Sequence, residues 1–251
     1  MSEENKSLDV LGVKPIADSV NTVTKGSVDG ASAFLSRICL PAAEEFGLLL
    51  KDRVSSWRAK NAVEITNKAQ NLIDTQFNNL VVQAHPRIIY STIEHGSWAE
   101  EDYMQDFWAG LLASSCTESG KDESNLIFIG ILSQLTSNQA KLIKYCCERA
   151  KILKSPGGWI YADEFWLNLD ELIDIMDIQD EQQIDRELDH LRSLELLGHC
   201  GGFDPNHTRA NASPTALCLQ LYVRSQGYVG SPIGYFSAED DSSNNQRQPT
   251  Q

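Results

Sequence analysis

Residues 97–116, SWAEEDYMQDFWAGLLASSC, decide the fold of the first half of the chain. Their apolar side chains recur at steps of three and four residues, the period of an amphipathic α-helix. These side chains are Met104, Phe107, Trp108, Leu111 and Leu112. Ser97 and Glu100 have the spacing of a capping box, which predicts that a helix begins at Ser97. We expect this helix to end near Cys116 and to lie in the core.

The same helical period continues on both sides of this stretch. It predicts helices at 32–57 (with a break at Pro41), 58–80, 86–94, 125–135 and 138–153. Residues 27–155 are therefore predicted to form a bundle-like helical domain. The polar ends of the chain, at 1–26 and 228–251, are predicted to be mobile tails.

The pattern changes after residues 155–158, SPGG, because proline and glycine do not continue a helix. The sequence then predicts a short strand at 159–161, helices at 163–176 and 180–197, a hairpin-like segment at 199–213 and a helix at 214–225. This order is typical of a winged helix-turn-helix domain. We expect 156–227 to form a winged-helix-like module with a short β-hairpin, in a chain that is mainly α.

The charge of this module argues against DNA as its partner. A winged helix that reads DNA needs cations on its third helix and on its wing. Residues 156–227 instead carry 13 acidic and 4 basic side chains, a net charge of −9, in a chain whose net charge is −14. We therefore do not expect a nucleic-acid partner. A DNA-binding regulator that uses 179–212 is kept only as an alternative.

The cysteines and the apolar stretches indicate a cytoplasmic protein. The six cysteines include no C-x-x-C pair, and the charged start MSEENKSLDV is unlike a secretory signal, so reduced thiols are expected. The longest uncharged stretch, 124–140, is too short and too polar for a membrane span.

Two groups of side chains have the chemistry of metal ligands without the usual spacing. The first group is Glu100, Glu101, Asp102 and Asp106 with His85 and His95, and the second is His190, His199, Cys200 and His207. Neither fits a metalloprotease or zinc pattern, and acids in a first helical turn are favoured by the helix dipole. The glycine pairs at 157–158 and 201–202 lack the rest of a phosphate-binding motif. We predict no catalytic residue, no cofactor and no metal.

Residues 31–60 combine apolar side chains with a basic end. The apolar members are Phe34, Leu35, Ile38, Phe46 and Leu48 to Leu50, and the basic ones are Lys51, Arg53, Arg58 and Lys60. This layout suits peripheral contact with an anionic membrane. It equally suits packing on the protein's own core or on a partner chain, and Glu44, Glu45 and Asp52 weaken the membrane interpretation.

Residues 85–116, HPRIIYSTIEHGSWAEEDYMQDFWAGLLASSC, resemble the signature of the bacterial abortive-infection alpha family. The resemblance extends to 41–65, PAAEEFGLLLKDRVSSWRAKNAVEI, and to 213–224, SPTALCLQLYVR, so that it spans about 40–225. It implies a role in defence against phage, but it supplies neither a mechanism nor a catalytic residue.

The resemblance and the lack of a catalytic motif together give the expected function. The chain is predicted to be a non-enzymatic component of anti-phage (abortive infection) defence that acts through protein–protein contacts, with a protein partner or as a homo-oligomer. One alternative is a membrane-acting effector that uses a helix at 31–57 at the inner membrane face. The other is the DNA-binding regulator.

Overall fold

The computed structural model describes residues 25–39, 56–77, 81–198, 203–204, 206 and 208–237. The helices are α1 (Lys25–Ile38), α2 (Ser56–Phe77), α3 (Pro86–Gly96), α4 (Asp102–Ser114), α5 (Leu126–Leu132), α6 (Ser137–Arg149), α7 (Leu169–Met176), α8 (Glu181–Ser193) and α9 (Ala216–Ser225). The strands are β1 (Ile152–Lys154), β2 (Ile160–Ala162), β3 (Trp166–Asn168) and β4 (Arg209–Asn211). The expected mainly α class is confirmed.

The chain divides into two compact units. The first comprises residues 1–133 with 224–227, and the second comprises 134–223 with 228–251. Helices α1 to α5 belong to the first unit, whereas α6 and all four strands belong to the second. The predicted domain boundary near 155 stays a prediction, and α6 lies in the second of these compact units.

Helix α4 forms the core of the first unit. Met104, Gln105 and every residue from Phe107 to Ser114 are buried, and α4 packs against α2, α3 and α5. A helix that is apolar on most sides belongs at the centre of a packed structure. The predicted core positions of Phe107, Trp108, Leu111 and Leu112 are confirmed, since none of these side chains is more than 2% exposed.

The carboxyl end of α4 is held by a close approach and by one buried amide. A Cβ atom at Gly110 would lie only 1.8 Å from the backbone oxygen of Ser225, so no larger residue fits there. Asn125 Nδ2 donates hydrogen bonds to Ser114 Oγ at 2.9 Å and to Ser115 Oγ at 2.8 Å. These contacts fix the end of α4 within the first unit.

Helix α1 differs from the helix predicted at 32–57. It ends at Ile38, and residues 40–55 lie outside the described part of the chain. Trp57, predicted at the end of the first helix, instead lies in the first turn of α2. Phe34, Leu35 and Ile38 are buried, and α1 packs against α2. The apolar side of α1 therefore belongs to the core of the first unit.

The second unit contains two antiparallel two-stranded sheets. In one, β1 pairs with β2 so that Leu153 lies opposite Tyr161; in the other, β3 pairs with β4 so that Leu167 lies opposite Ala210. The strand predicted at 159–161 is confirmed with a shift of one residue. The predicted helices that included 152–153 and 163–168 are wrong there, because pairing with distant residues keeps both segments extended.

Helix starts in the second unit follow local capping chemistry. Thr136 and Gln139 form a capping box at the start of α6, and Asn168 and Glu171 form one at the start of α7. Helix α8 ends at Ser193, earlier than predicted, and Glu195 beyond it has a left-handed φ of 59°.

Parts of the remaining predictions fall on residues that the structure does not describe. Within the hairpin-like segment at 199–213, Phe203 forms a single antiparallel bridge with Ala210, while 199–202, 205 and 207 lie outside the described residues. Of the predicted tails, 1–24 and 238–251 also lie outside them, and residues 232–237 are helical.

Candidate protein-docking site

The segment that joins α3 to α4 differs from its sequence prediction. Helix α4 begins at Asp102, its N-cap Glu101 makes no side-chain capping bond, and the capping box predicted at Ser97 and Glu100 is therefore wrong. Ser97 instead ends α3, where its backbone N–H donates to Ile93 O at 3.0 Å. Its side chain is fully buried and already bonded elsewhere, so it cannot cap α4.

Arg58, near the start of α2, is the residue that fixes this corner. Its Nε donates to Ser97 Oγ at 3.0 Å, and its Nη2 donates to Glu94 O at 3.2 Å and lies 3.3 Å from Glu94 Oε2. The residue is only 8% exposed. A cation so far from water requires such partners, because desolvation without them costs several kcal/mol, on the order of the Born penalty in proteins.

Two amides complete the polar network around the corner. Asn61 Nδ2, on α2, donates to Ser97 O at 3.1 Å, and Gln105 Nε2, on α4, donates to Ala99 O at 3.0 Å. Side chains from α2 and α4 thus bond to the backbone of the connecting segment, which has no regular secondary structure of its own.

The network presents two tryptophan side chains at the surface. Trp98 follows Ser97 directly, and the guanidinium carbon of Arg58 lies 4.2 Å from its ring centroid. Trp57 meets Trp98 edge to face, with 5.5 Å between the ring centroids. Trp57 is 37% exposed and Trp98 is 53% exposed. We call these two residues the tryptophan corner.

Several side chains of the first group with metal-ligand chemistry make other contacts in the structure. Lys68 Nζ lies 2.5 Å from Asp102 Oδ1 and 2.6 Å from Asp106 Oδ1. Burial opposes the charge of Lys68, but its hydrogen bonds to both carboxylates outweigh that effect and raise its pKa above the ordinary value. A lysine ammonium occupies the space between the two carboxylates, where a metal would have to bind.

The histidines of that group have separate roles. His85 caps α3 by accepting a hydrogen bond from the backbone N–H of Arg87, and its Nδ1 lies 3.7 Å from Glu123 Oε1. His95 stacks on Trp108 with 6.4 Å between ring centroids. Among the described residues, no three His, Cys, Asp or Glu side chains are grouped so that they could hold a metal ion.

The second group with metal-ligand chemistry lies only partly within the described residues. His190 Nδ1 lies 2.9 Å from Gln139 Nε2, between α8 and α6, whereas His199, Cys200 and His207 lie outside the described residues. The thiols of Cys147 and Cys218 are buried and 3.7 Å apart. Burial raises the pKa of Cys147 well above its ordinary value, which is the opposite of what a nucleophilic thiolate needs.

A second exposed aromatic pair lies on the β1–β2 hairpin. Trp159 is 74% exposed and Tyr161 is 47% exposed, and these residues are two apart along an extended chain, so that they face the same side. The backbone N–H of Trp159 donates to Ser155 Oγ at 3.1 Å. No described cation lies over the Trp159 ring, and no buried network like that of Arg58 supports it. It provides a matched control for the tryptophan corner.

Sequence reasoning placed Arg58 at the basic end of an amphipathic segment and missed its role at this site. The sequence nevertheless indicates that Arg58 is buried. Arg58 lies four and seven residues before Ala62 and Ile65, on the apolar stripe that becomes the buried side of α2. A basic residue on such a stripe requires a partner inside the protein.

The described chain is mainly helical, and in its first unit the buried Arg58 lies against an exposed pair of tryptophans. No helix within the described residues combines the length and apolar character needed to cross a membrane. The sequence profile of the abortive infection alpha family matches residues 58–210, which is more than half of the chain. The chain belongs to this family. No curated protein and no solved structure matches it significantly.

Proposed function

We propose that this protein is a non-enzymatic component of bacterial anti-phage defence, and that it acts by docking a protein partner at the tryptophan corner. Membership of the abortive infection alpha family supports the defence role. The observation that carries the docking role is the exposure of Trp98, which is 53% accessible although Arg58 holds it from the buried side.

Exposed tryptophans that are held rigidly suit protein recognition. Tryptophan, tyrosine and arginine dominate binding energy at protein interfaces, because a large ring offers much contact area for few rotatable bonds. Arg58 restrains Trp98 before any partner arrives, so that little side-chain entropy is left to lose on binding. Arg58 and Trp98 also lie within 58–210, the segment that matches the family.

We further propose that the winged-helix-like module predicted at 156–227 also includes α6, and that it makes protein contacts rather than reading DNA. The order α6, β3, α7, α8, β4 and the pairing of β3 with β4 support this arrangement. Helix α8, the position of a recognition helix, carries four acids, and one of its two arginines, Arg192, is buried and paired with Asp189 at 2.8 Å. Such a helix would repel phosphates.

The membrane alternative draws less support from the described residues. The apolar side chains of α1 that it needs, Phe34, Leu35 and Ile38, are each no more than 3% exposed. Inserting them into a bilayer would require α1 to leave the core of the first unit. We therefore propose that these side chains serve to pack α1 in that core.

Protection against phage in a bacterial host tests the docking role. Expression of the wild-type chain should lower the efficiency of plating of a sensitive phage, and Trp98→Ala should remove at least about tenfold of that protection, as expected for loss of a hot-spot side chain. Trp159→Ala changes an equally large exposed ring and should protect like the wild type. Full protection by a folded Trp98→Ala variant would rule out the corner as the docking surface.

The non-enzymatic part of the proposal has its own test. Asp106→Asn and His190→Gln each change a titratable side chain without touching the tryptophan corner. Both variants should protect like the wild type. Loss of protection by either one, with the urea unfolding midpoint unchanged, would indicate chemistry at that side chain and contradict the proposal.

A further inference from the structure

The charges around the tryptophan corner restrict what it can bind. Glu94 is paired with Arg58, and Asp102 and Asp106 are paired with Lys68. Glu100 and Glu101 are exposed and pair with no described cation. We call these two residues the acidic rim. They follow Trp98 by two and three residues in the same connecting segment, so that exposed carboxylates and an exposed ring are close neighbours along the chain.

The chain itself shows what kind of group such a ring accepts. Arg58 lies over Trp98 at 4.2 Å, and in the second unit Arg209 lies over Trp166 at 4.8 Å. An indole ring attracts cations because its quadrupole places negative potential at the faces. A cation that arrived from outside would meet the exposed part of Trp98 and the carboxylates of the acidic rim together.

We infer that the docking partner presents an arginine-bearing segment to the tryptophan corner. This inference rests on the proposed docking function and specifies its chemistry. A guanidinium is favoured over an ammonium because its plane stacks on an indole ring and its paired N–H groups match a carboxylate. Lysine can supply the charge but not the stacked geometry.

The same charges disfavour other partners. The acidic rim would repel a phosphate backbone, an anionic vesicle or an acidic peptide, and the net charge of −14 adds to that repulsion at low salt. A purely apolar partner would leave the rim carboxylates to be desolvated without compensation. An arginine-bearing segment can stack on the Trp98 ring and pair with the carboxylates of the acidic rim.

Titration of the full chain with a short peptide of alternating arginine and glycine tests the inference. Trp98→Leu keeps the apolar bulk but removes the ring, and it should raise the dissociation constant about tenfold, whereas Trp98→Phe should raise it less. Glu100→Gln with Glu101→Gln should raise it about threefold or more at low salt. A matched lysine–glycine peptide should bind more weakly, and a glutamate–glycine peptide should not bind.

Controls separate this site from attraction to the acidic surface in general. Trp159→Leu removes an exposed ring elsewhere, and Asp174→Asn with Glu181→Gln removes two exposed acids from α7 and α8. Neither variant should change the dissociation constant by more than about twofold, since neither touches the corner. Equal weakening by site and control variants would overturn the inference, and so would a Trp98→Leu variant that binds like the wild type.

The two proposals can fail separately. If the peptide does not need Trp98 but phage protection does, the corner docks a partner of other chemistry and only the arginine inference falls. If the peptide needs Trp98 but protection does not, arginine binding at the corner stands and the proposed function falls.

Discussion

The guanidinium of Arg58 lies 4.2 Å from the ring centroid of Trp98, and its Nε donates a hydrogen bond to the hydroxyl of Ser97, the residue just before that tryptophan. One side chain on α2 thus contacts both the buried hydroxyl of Ser97 and the exposed ring of Trp98. Stability and the proposed docking both depend on Arg58, but different substitutions separate them.

Removal of Arg58 should cost much more stability than removal of an exposed arginine. Arg58→Met removes the donor to the hydroxyl of Ser97 and one of two donors to Glu94 O, which keeps the bond from Ser97 Oγ. We expect a loss of about 2 kcal/mol in the free energy of unfolding, reduced from the fully buried case because Glu94 is partly exposed. Arg37→Met breaks an exposed pair with Asp74 and should cost no more than about 0.5 kcal/mol. Urea unfolding measures the free energy of unfolding of both variants. Equal losses would show that the buried network around Arg58 adds nothing to stability.

Gly110 should tolerate no side chain. Gly110→Ala would drive a methyl group into the backbone oxygen of Ser225, and overpacking of this kind should destabilise the fold by at least about 2 kcal/mol. Gly130, on α5, is the matched control because an added Cβ meets nothing within 4 Å. Gly130→Ala should be neutral or stabilise by up to about 1 kcal/mol through helix propensity. A Gly110→Ala variant with an unchanged unfolding midpoint would contradict the packing described for α4.

The buried thiols should make the protein less stable at alkaline pH. Burial raises the pKa of Cys116 from an ordinary 9.0 to about 12, and it raises the pKa values of Cys146 and Cys147 in the same direction. The folded state therefore keeps protons that the unfolded state releases, so this stabilisation is complete below pH 9 and declines as the pH rises towards 12.

Urea unfolding between pH 8 and 11 measures this decline, and Cys116→Ala should make it shallower. At pH 8 the same thiols should react with iodoacetamide far more slowly in the native protein than in urea, because only the thiolate is nucleophilic. Labelling of native Cys116 at the unfolded rate would show that its site is open to solvent.

The sequence predicted features that depend on local patterns. The apolar stripe through Phe107, Trp108 and Leu111 identified α4 and its burial, because helical period and composition are properties of neighbouring residues. The turn signal at 155–158 likewise gave the change of structure before β2. Both predictions used only residues within one element or its flanks.

The features that were missed depend on residues far apart in the chain. Ser97 has the local pattern of an N-cap, but Arg58, 39 residues earlier, engages its hydroxyl in the core. Trp166 to Asn168 continue a helical apolar pattern, but pairing with Arg209 to Asn211 makes them a strand. Tertiary contacts overrode local preference in both cases. The proposed docking site depends on the first of these contacts, so a local pattern could not reveal it.

The most direct test of the central claim compares two double variants in the phage plating assay. Trp57→Ala with Trp98→Ala removes the tryptophan corner, and Trp159→Ala with Tyr161→Ala removes a comparable exposed aromatic surface from the β1–β2 hairpin. Circular dichroism and urea unfolding check that both variants are folded. We expect cells with the first variant to plate phage like cells without the protein, and cells with the second to plate phage like the wild type. Full protection by the first variant would show that the tryptophan corner is not the docking surface.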